Sequence, residues 1–431
     1  MTDMVISNST RVARLVAYAS AALVLAASFA VPSVLTAVTH PGGVALTPPA
    51  PSGPHAVGRT ELHLAAPDRG HPWVERAGAR DVMVSVWYPA EGDGTGHAPY
   101  LTPSVADVLK GELEQVGRHR DDLDAGASHA NALQDAAADG SGPFPVVLYS
   151  PGLRESRFLN TSNIEELVSH GYVVAAMDHP YETLAVDLPD GRVLRTNMPG
   201  LDPEVLREAV DVRVEDVRLT LDGLAELAGG RTPDTNGKEP PPGLTEAVDM
   251  DAIGMFGHSL GGLTAAEAIL EDDRIDAGMN LDGTLAYHSG DGIWADSTLW
   301  GVDRPFALLT AGLAGTGREP HHSGHSPDFR RFVDASAAPV LELYMAEGEH
   351  MSYTDHQWIL PALAESGRSD DRTWSTMVAE TIGTVDPEES VRTQRAYITA
   401  FFDAHLRSDR SPLLDGLSPD FPTMEFVGRV R

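Results

Sequence analysis

Continuous apolar runs alternate with helical patterns along most of the chain. FPVVLYS (144–150) and YVVAAMD (172–178) lack the polar alternation of a half-exposed strand, so both read as strands covered on two faces. A helical stretch near 161–170 separates them. AIGMFG (252–257), AGMNLD (277–282), PFALLT (305–310) and PVLELYM (339–345) repeat the strand pattern. Asp202 as cap and Pro203 in the first turn open a helix that runs to about residue 227, and a last helix covers 390–406. Upstream, 60–66 and DVMVSVWY (81–88) read as strands, and a hairpin near 184–196 turns at Pro189-Asp190-Gly191. Strands that alternate with helices predict the α/β class, a mostly parallel central sheet with helices on both faces. Segment 101–142 departs from the pattern. It is polar, acidic and helix-prone, ends at Gly140-Ser141-Gly142-Pro143, and reads as an insertion over the sheet rather than part of it.

The N-terminal pattern differs again. Arg11 and Arg14 precede the uncharged run LVAYASAALVLAASFAVPSVLTAV (15–38), the order of a secretion signal. Ser28 and Ala30 suit a cut before Val31; uncut, the run is long enough to span a bilayer. Residues 1–38 are therefore expected to be a signal peptide or an N-terminal anchor, with the rest of the chain extracytoplasmic or secreted. Residues 39–58 are rich in proline, glycine and alanine and read as a tether. One folded domain over 59–431 follows.

Composition narrows the functional classes. The 431 residues carry 31 Lys+Arg against 63 Asp+Glu, a formal charge of −32. Phosphate binding needs clustered cations, so nucleic acid is excluded as a partner, and membrane contact is expected only through the N-terminal segment. The absence of cysteine removes disulfides, thiolate metal sites and cysteine nucleophiles.

Candidate chemistry lies at strand ends, where parallel sheets build their sites. Gly257-His258-Ser259-Leu260-Gly261-Gly262 follows one strand directly and opens the Ala-rich helix LTAAEAIL (263–270). This is the context of a nucleophile elbow: Gly257 and Gly261 relieve the crowding of a tight turn that presents Ser259. Gly324-His325-Ser326-Pro327-Asp328 lacks the last glycine and follows no strand. A serine nucleophile needs a base held by a carboxylate, in the chain order Ser, acid, His. Asp282 ends the next strand, and His350 lies just past the last one, after Ala346-Glu347-Gly348-Glu349. His321, His322 and His325 sit in a Gly-rich stretch. Their spacing is not a zinc-helix pattern, so a solvated loop is expected, with no metal and no cofactor. Oxyanion donors are expected from the Leu260 and Leu153 N–H groups; Pro151 has none. His179, at the end of a neighbouring strand, either lines the pocket or belongs to a turn.

With these residues in place the chain resembles the α/β-hydrolase superfamily, and more closely the platelet-activating-factor acetylhydrolase (plasma/type II) family in its bacterial branch. VSVWYPA (84–90), VVLYSPGLRES (146–156), GMFGHSLGG (254–262), MNLDGTL (279–285) and EHMSYTD (349–355) carry the likeness. It covers about residues 60 to 410 and implies an α/β-hydrolase catalytic domain with Ser259, Asp282 and His350 as triad. It departs at Pro151, where relatives often have His, and finds no motif in 101–142. The expectation is an exported serine ester hydrolase that cleaves short-acyl esters, with small-molecule or lipid esters as substrate. Two alternatives stand beside it: a cutinase-like polyester or triglyceride hydrolase on the same triad, and a non-catalytic binding protein on a hydrolase fold.

Overall fold

The computed structural model describes residues 43–75, 78–92, 96–287, 292–315, 317–365 and 372–430. The expected leader or anchor, residues 1–38, lies outside them. Among the described residues no helix is long and apolar enough to cross a membrane.

The strands, in chain order, are β1 (Ala56–Ala66), β2 (Arg80–Ala90), β3 (His97–Pro99), β4 (His129–Gln134), β5 (Phe144–Ser150), β6 (Val173–Met177), β7 (Ala185–Asp187), β8 (Val193–Arg195), β9 (Val248–His258), β10 (Ala277–Leu281), β11 (Phe306–Ala311), β12 (Leu313–Ala314), β13 (Glu319–Pro320), β14 (Val340–Met345) and β15 (Glu425–Val430). Eleven of them form one sheet in the order β15-β14-β11-β10-β9-β5-β6-β2-β1-β4-β3. Its centre, β6 through β14, is parallel. β2 and β1 continue antiparallel on one side, and β15 closes the other. This is the mostly parallel α/β sheet expected from the alternation, in the α/β-hydrolase architecture that the resemblance implies. β7 and β8 pair as the expected hairpin.

The central strands are apolar throughout because each face packs on helices. Val147 and Tyr149 join a core built with the helices Thr161–Ser169, His356–Glu365 and Pro387–Leu406. Val146 and Leu148 point the other way, into a core with the helices Pro203–Ala228 and Leu260–Glu271. Along Pro203–Ala228 the buried residues Leu206, Val210, Val214, Val217, Leu221 and Leu224 recur at three- and four-residue spacing, one helical stripe against the sheet.

Two expectations are corrected. Segment 101–142 is not only a cover. It begins with the helix Pro103–Gln115 but ends in β4, which enters the main sheet parallel to β1 and antiparallel to β3. β4 buries only two small residues, Ala130 and Ala132. It is anchored by the Glu165 carboxylate, which accepts from Asn131 Nδ2 (2.7 Å) and the Ala132 N–H (2.9 Å). So brief a pattern is weak in sequence, but it pairs the outer edge of β1, which would otherwise be open.

The tether expected over 39–58 is, from residue 43 on, packed structure. Leu46 is 1% exposed and belongs to the core. The Arg395 guanidinium donates to the carbonyls of Pro49 (2.7 Å) and Ala50 (2.9 Å), and Ser52 N–H donates to Glu166 (2.9 Å). Proline-rich chain offers carbonyls without its own partners, and tertiary donors supply them here. Leu46→Ala is expected to cost about 2–4 kcal/mol in urea unfolding; a free tether would give no measurable change.

Candidate active site

β9 ends at the elbow and the helix Leu260–Glu271 begins one residue later. Between them Ser259 sits at φ 54°, ψ −122°, a conformation unfavourable for a residue with a side chain. The glycines make it attainable. A β-carbon on Gly257 would lie 2.2 Å from the Gly261 carbonyl oxygen, and one on Gly261 would lie 2.0 Å from that of Ser150. The Ser259 N–H donates to Leu281 O at 2.9 Å and fixes the turn.

Asp282 follows β10, also at positive φ (53°), and its N–H donates to Leu309 O at 2.8 Å. His350 opens a short 3-10 turn, His350–Tyr353, after β14. Ser259, His350 and Asp282 meet. Ser259 Oγ lies 3.0 Å from His350 Nε2, and His350 Nδ1 lies 2.7 Å from Asp282 Oδ2. A carboxylate accepts only, so Nδ1 carries the proton in this network and Nε2 is left to accept from the hydroxyl. Burial would push the Asp282 carboxyl up, yet the surrounding imidazoles hold it well below the ordinary carboxylate range. The His350 side chain is 18% exposed, open enough to meet a substrate.

Leu153 and Leu260 flank the serine from the loop after β5 and from the helix N-terminus. Among the described residues neither N–H has a protein acceptor. The Leu153 amide is oriented from behind. Arg213, buried in the helix Pro203–Ala228, donates to Pro151 O (2.6 Å) and Gly152 O (3.2 Å). In a trans peptide the N–H of Leu153 points opposite to the Gly152 carbonyl, hence away from Arg213. The Gly152 N–H is spent on Glu155 Oε2 at 3.0 Å. Ester carbonyl activation requires backbone donors left free in this way.

The wider comparisons agree in kind. The family description "Platelet-activating factor acetylhydrolase, isoform II" matches residues 45–188, which include β5 and the Leu153 loop but end before Ser259. A probable 1-alkyl-2-acetylglycerophosphocholine esterase of Arthroderma benhamiae is 26% identical over 399 residues, 88% of this chain and 93% of its own. The platelet-activating factor acetylhydrolase of Bos taurus is 25% identical over 57% of each chain. Among solved structures, the ferulic acid esterase from Streptomyces cinnamoneus is 30% identical with a TM-score of 0.70, covering 89% of this chain and 100% of its own. The chain has the α/β-hydrolase fold and resembles the platelet-activating-factor acetylhydrolase family. It is a carboxylic-ester hydrolase.

In this acetylhydrolase-like chain the turn reading of His179 holds and the pocket reading does not: its main-chain oxygen accepts the Glu182 and Thr183 N–H groups at 3.1 and 2.9 Å. It is 0% exposed, with Nδ1 3.0 Å from Asp216 and Nε2 2.9 Å from Ser150 Oγ. Both ring nitrogens are used, and the ring packs behind the Leu153 loop beside Arg213. Burial and the nearby Arg213 charge keep it below histidine's ordinary pKa.

Two further groups around the acetylhydrolase-like site were not anticipated. His321, read as part of a solvated loop, is buried with Nδ1 2.7 Å from Asp282 Oδ1. Its only sequence signal is position: β12 and β13 pair just past β11 and return the chain to the strand end. The second group is an acid–imidazole pair at the elbow. His258 Nδ1 lies 3.0 Å from Glu155 Oε2, and Nε2 donates to the main-chain oxygen of His350 at 2.9 Å. Burial opposes the Glu155 charge, but His258 outweighs it and takes the carboxyl down to about 2. His258 is correspondingly raised: burial lowers it, and Glu155 raises it further.

Glu155 thus ties the Leu153 loop, the elbow and the His350 segment together. A folded pKa below the unfolded value adds stability above the unfolded pKa, and that contribution is lost as pH falls through the folded value. Glu155→Gln is therefore expected to lower stability near pH 7 by about 2–4 kcal/mol. The two proteins should converge as pH falls toward about 2 in denaturant titrations. A variant gap that stays constant with pH would show that the charge is not what Glu155 contributes.

Proposed function

We propose that this carboxylic-ester hydrolase works through an acyl-enzyme on Ser259, with His350 as base and Asp282 as the carboxylate that orients it. The observation that carries this is the continuous hydrogen-bonded path, 3.0 Å from Ser259 Oγ to His350 Nε2 and 2.7 Å from His350 Nδ1 to Asp282, at a serine in strained backbone. Ser259 Oγ attacks the ester carbonyl carbon while His350 Nε2 takes its proton. The carbonyl oxygen gains negative charge and receives the Leu153 and Leu260 N–H groups, the second reinforced by its place at a helix N-terminus. Asp282 stabilises the imidazolium. His350 returns the proton to the leaving alcohol, then takes one from water, whose attack releases the acid and restores Ser259.

Short-acyl esters are the proposed substrates, as in the glycerophosphocholine esterase and acetylhydrolase relatives. The charge of −32 favours neutral or zwitterionic esters over anionic ones. A second reading, esters of aromatic acids, is favoured by the full-length likeness to a ferulic acid esterase. We further propose that residues 1–38 carry the enzyme out of the cytoplasm, supported by the basic residues and apolar run of that segment.

A fluorophosphonate probe is expected to label the wild type and not Ser259→Ala, whose kcat/KM falls by at least about 10⁴-fold. Persistent labelling would move the nucleophile elsewhere. A series of p-nitrophenyl esters, a short-chain phosphatidylcholine, methyl ferulate and a polyester film separates the substrate readings. The highest kcat/KM is expected on the acetyl and butyryl esters, and preference for methyl ferulate would establish the second reading.

A further inference from the structure

Asp282 serves two imidazoles. His350 Nδ1 lies 2.7 Å from Oδ2, and His321 Nδ1 lies 2.7 Å from Oδ1, which also accepts the Ala311 N–H at 2.9 Å. His321 is not placed there by chance packing of a surface loop. The two-residue pairing of β12 with β13 reverses the chain after β11, and the His321 N–H reaches back to Gly312 O at 3.3 Å. Its ring then packs on Phe329, centroids 4.7 Å apart, and the residue is 4% exposed. The opposite nitrogen, Nε2, is buried and has no hydrogen-bond partner among the described residues. A buried imidazole with one nitrogen unsatisfied carries a desolvation cost, which the bond to Asp282 must offset.

We propose that His321 is a positioning residue for ester hydrolysis: it grips the second oxygen of Asp282 and so controls how strongly Asp282 draws a proton onto His350. The proposal rests on the triad reading above. Its physical basis is competition for one carboxylate. A neutral His321 donating Nδ1–H disperses the Asp282 charge; a cationic His321 neutralises it outright. Either state weakens the attraction of Asp282 for the His350 imidazolium, so the sign of the effect does not depend on which is present. The result is a weaker pull of Asp282 on the Nδ1 proton of His350 than an unshared carboxylate would exert.

Other charged groups around His321 are engaged elsewhere. Asp328, on the helix Pro327–Ala335, accepts the Leu285 N–H. Glu342 of β14 accepts the Ser323 N–H, and Tyr344 donates to Gly312 O. His325 pairs with Glu319, and Glu349 with Arg318. His322 packs edge-on against both His325 and Tyr344. Among the contacts of His321, Asp282 alone links it to the reacting atoms.

The test is the pH dependence of kcat/KM, whose acid limb reports the base of the free enzyme. His321→Leu removes the donor, and its acid limb is expected to move up by about half a pH unit or more, with kcat lowered. His321→Asn can present an amide N–H to the same oxygen and is expected to recover at least part of both changes. A merely structural role would lower kcat in both variants without moving the limb. An acid limb in His321→Leu that matches wild type overturns the proposal, as does a limb equally displaced in both variants. Should His321→Leu fail to fold, proton NMR of ¹⁵N-histidine-labelled enzyme decides. Wild type should show two low-field Nδ1–H signals and His350→Asn one; a single signal in wild type, lost in His350→Asn, overturns the proposal. Loss of labelling in Ser259→Ala together with an unmoved limb in His321→Leu would sink this inference alone. Labelling that survives in Ser259→Ala would sink the triad reading.

Discussion

Everything at this site depends on a backbone crossing too close for side chains. A β-carbon on Gly261 would meet the Ser150 carbonyl oxygen at 2.0 Å, one on Gly262 would meet Asn280 at 2.1 Å, and one on Gly283 would meet the Ser259 carbonyl oxygen at 2.0 Å. Three strand ends, β5, β9 and β10, therefore converge on one point. The contact that strains Ser259 also places the Leu153 loop beside the serine and the Asp282 turn beneath it. Strain of this kind costs about 1–3 kcal/mol and persists only where surrounding structure over-determines it. Here the Ser259 N–H bond to Leu281 O and the apolar strands on either side supply that constraint.

Behind the crossing, the rigid support is polar. Arg80 holds both oxygens of Asp216 at 2.5 Å, Asp216 holds His179, His179 meets the Ser150 hydroxyl, and Arg213 joins Ser150 to Glu182 and the loop carbonyls. Burying such charges is costly unless each is satisfied, and a satisfied network fixes one geometry. The loop's peptide planes are set this way, by Arg213, which grips the Pro151 and Gly152 carbonyls and so turns the Leu153 N–H away from itself. Arg80, Arg157 and Arg213 are almost wholly buried against carboxylates. Those pairs are neutral, so they add nothing to the charge of −32.

What could be read from sequence follows the range of each interaction. The elbow is local: Gly257, Ser259 and Gly261 lie within five positions, flanked by an apolar strand and an Ala-rich helix. Asp282 and His350 are distant in sequence but sit just past strands, and the order of strands in a parallel sheet gathers such ends. His321 was missed because its partner is 39 residues away and its neighbours, with glycine and three histidines, have the composition of a solvated loop. His179 was placed at the right strand end with pocket and turn both open, since strand position does not tell which way a side chain is drawn. The packed segment after residue 43 escaped for a related reason. Proline content reports missing local hydrogen bonds and says nothing of a donor such as Arg395, some 345 residues away.

His350 stands between two acid–imidazole pairs. His321 with Asp282 holds its side chain, and His258 with Glu155 holds its main-chain oxygen. Both pairs are buried, where interactions are strong and little screened by salt, whereas exposed charge is screened within about 10 Å at ordinary ionic strength. The two layers of electrostatics therefore do different work. In the proposed mechanism the surface charge disfavours anionic esters. In the proposed mechanism the buried pairs set how His350 meets the Ser259 hydroxyl, through contacts made at close range.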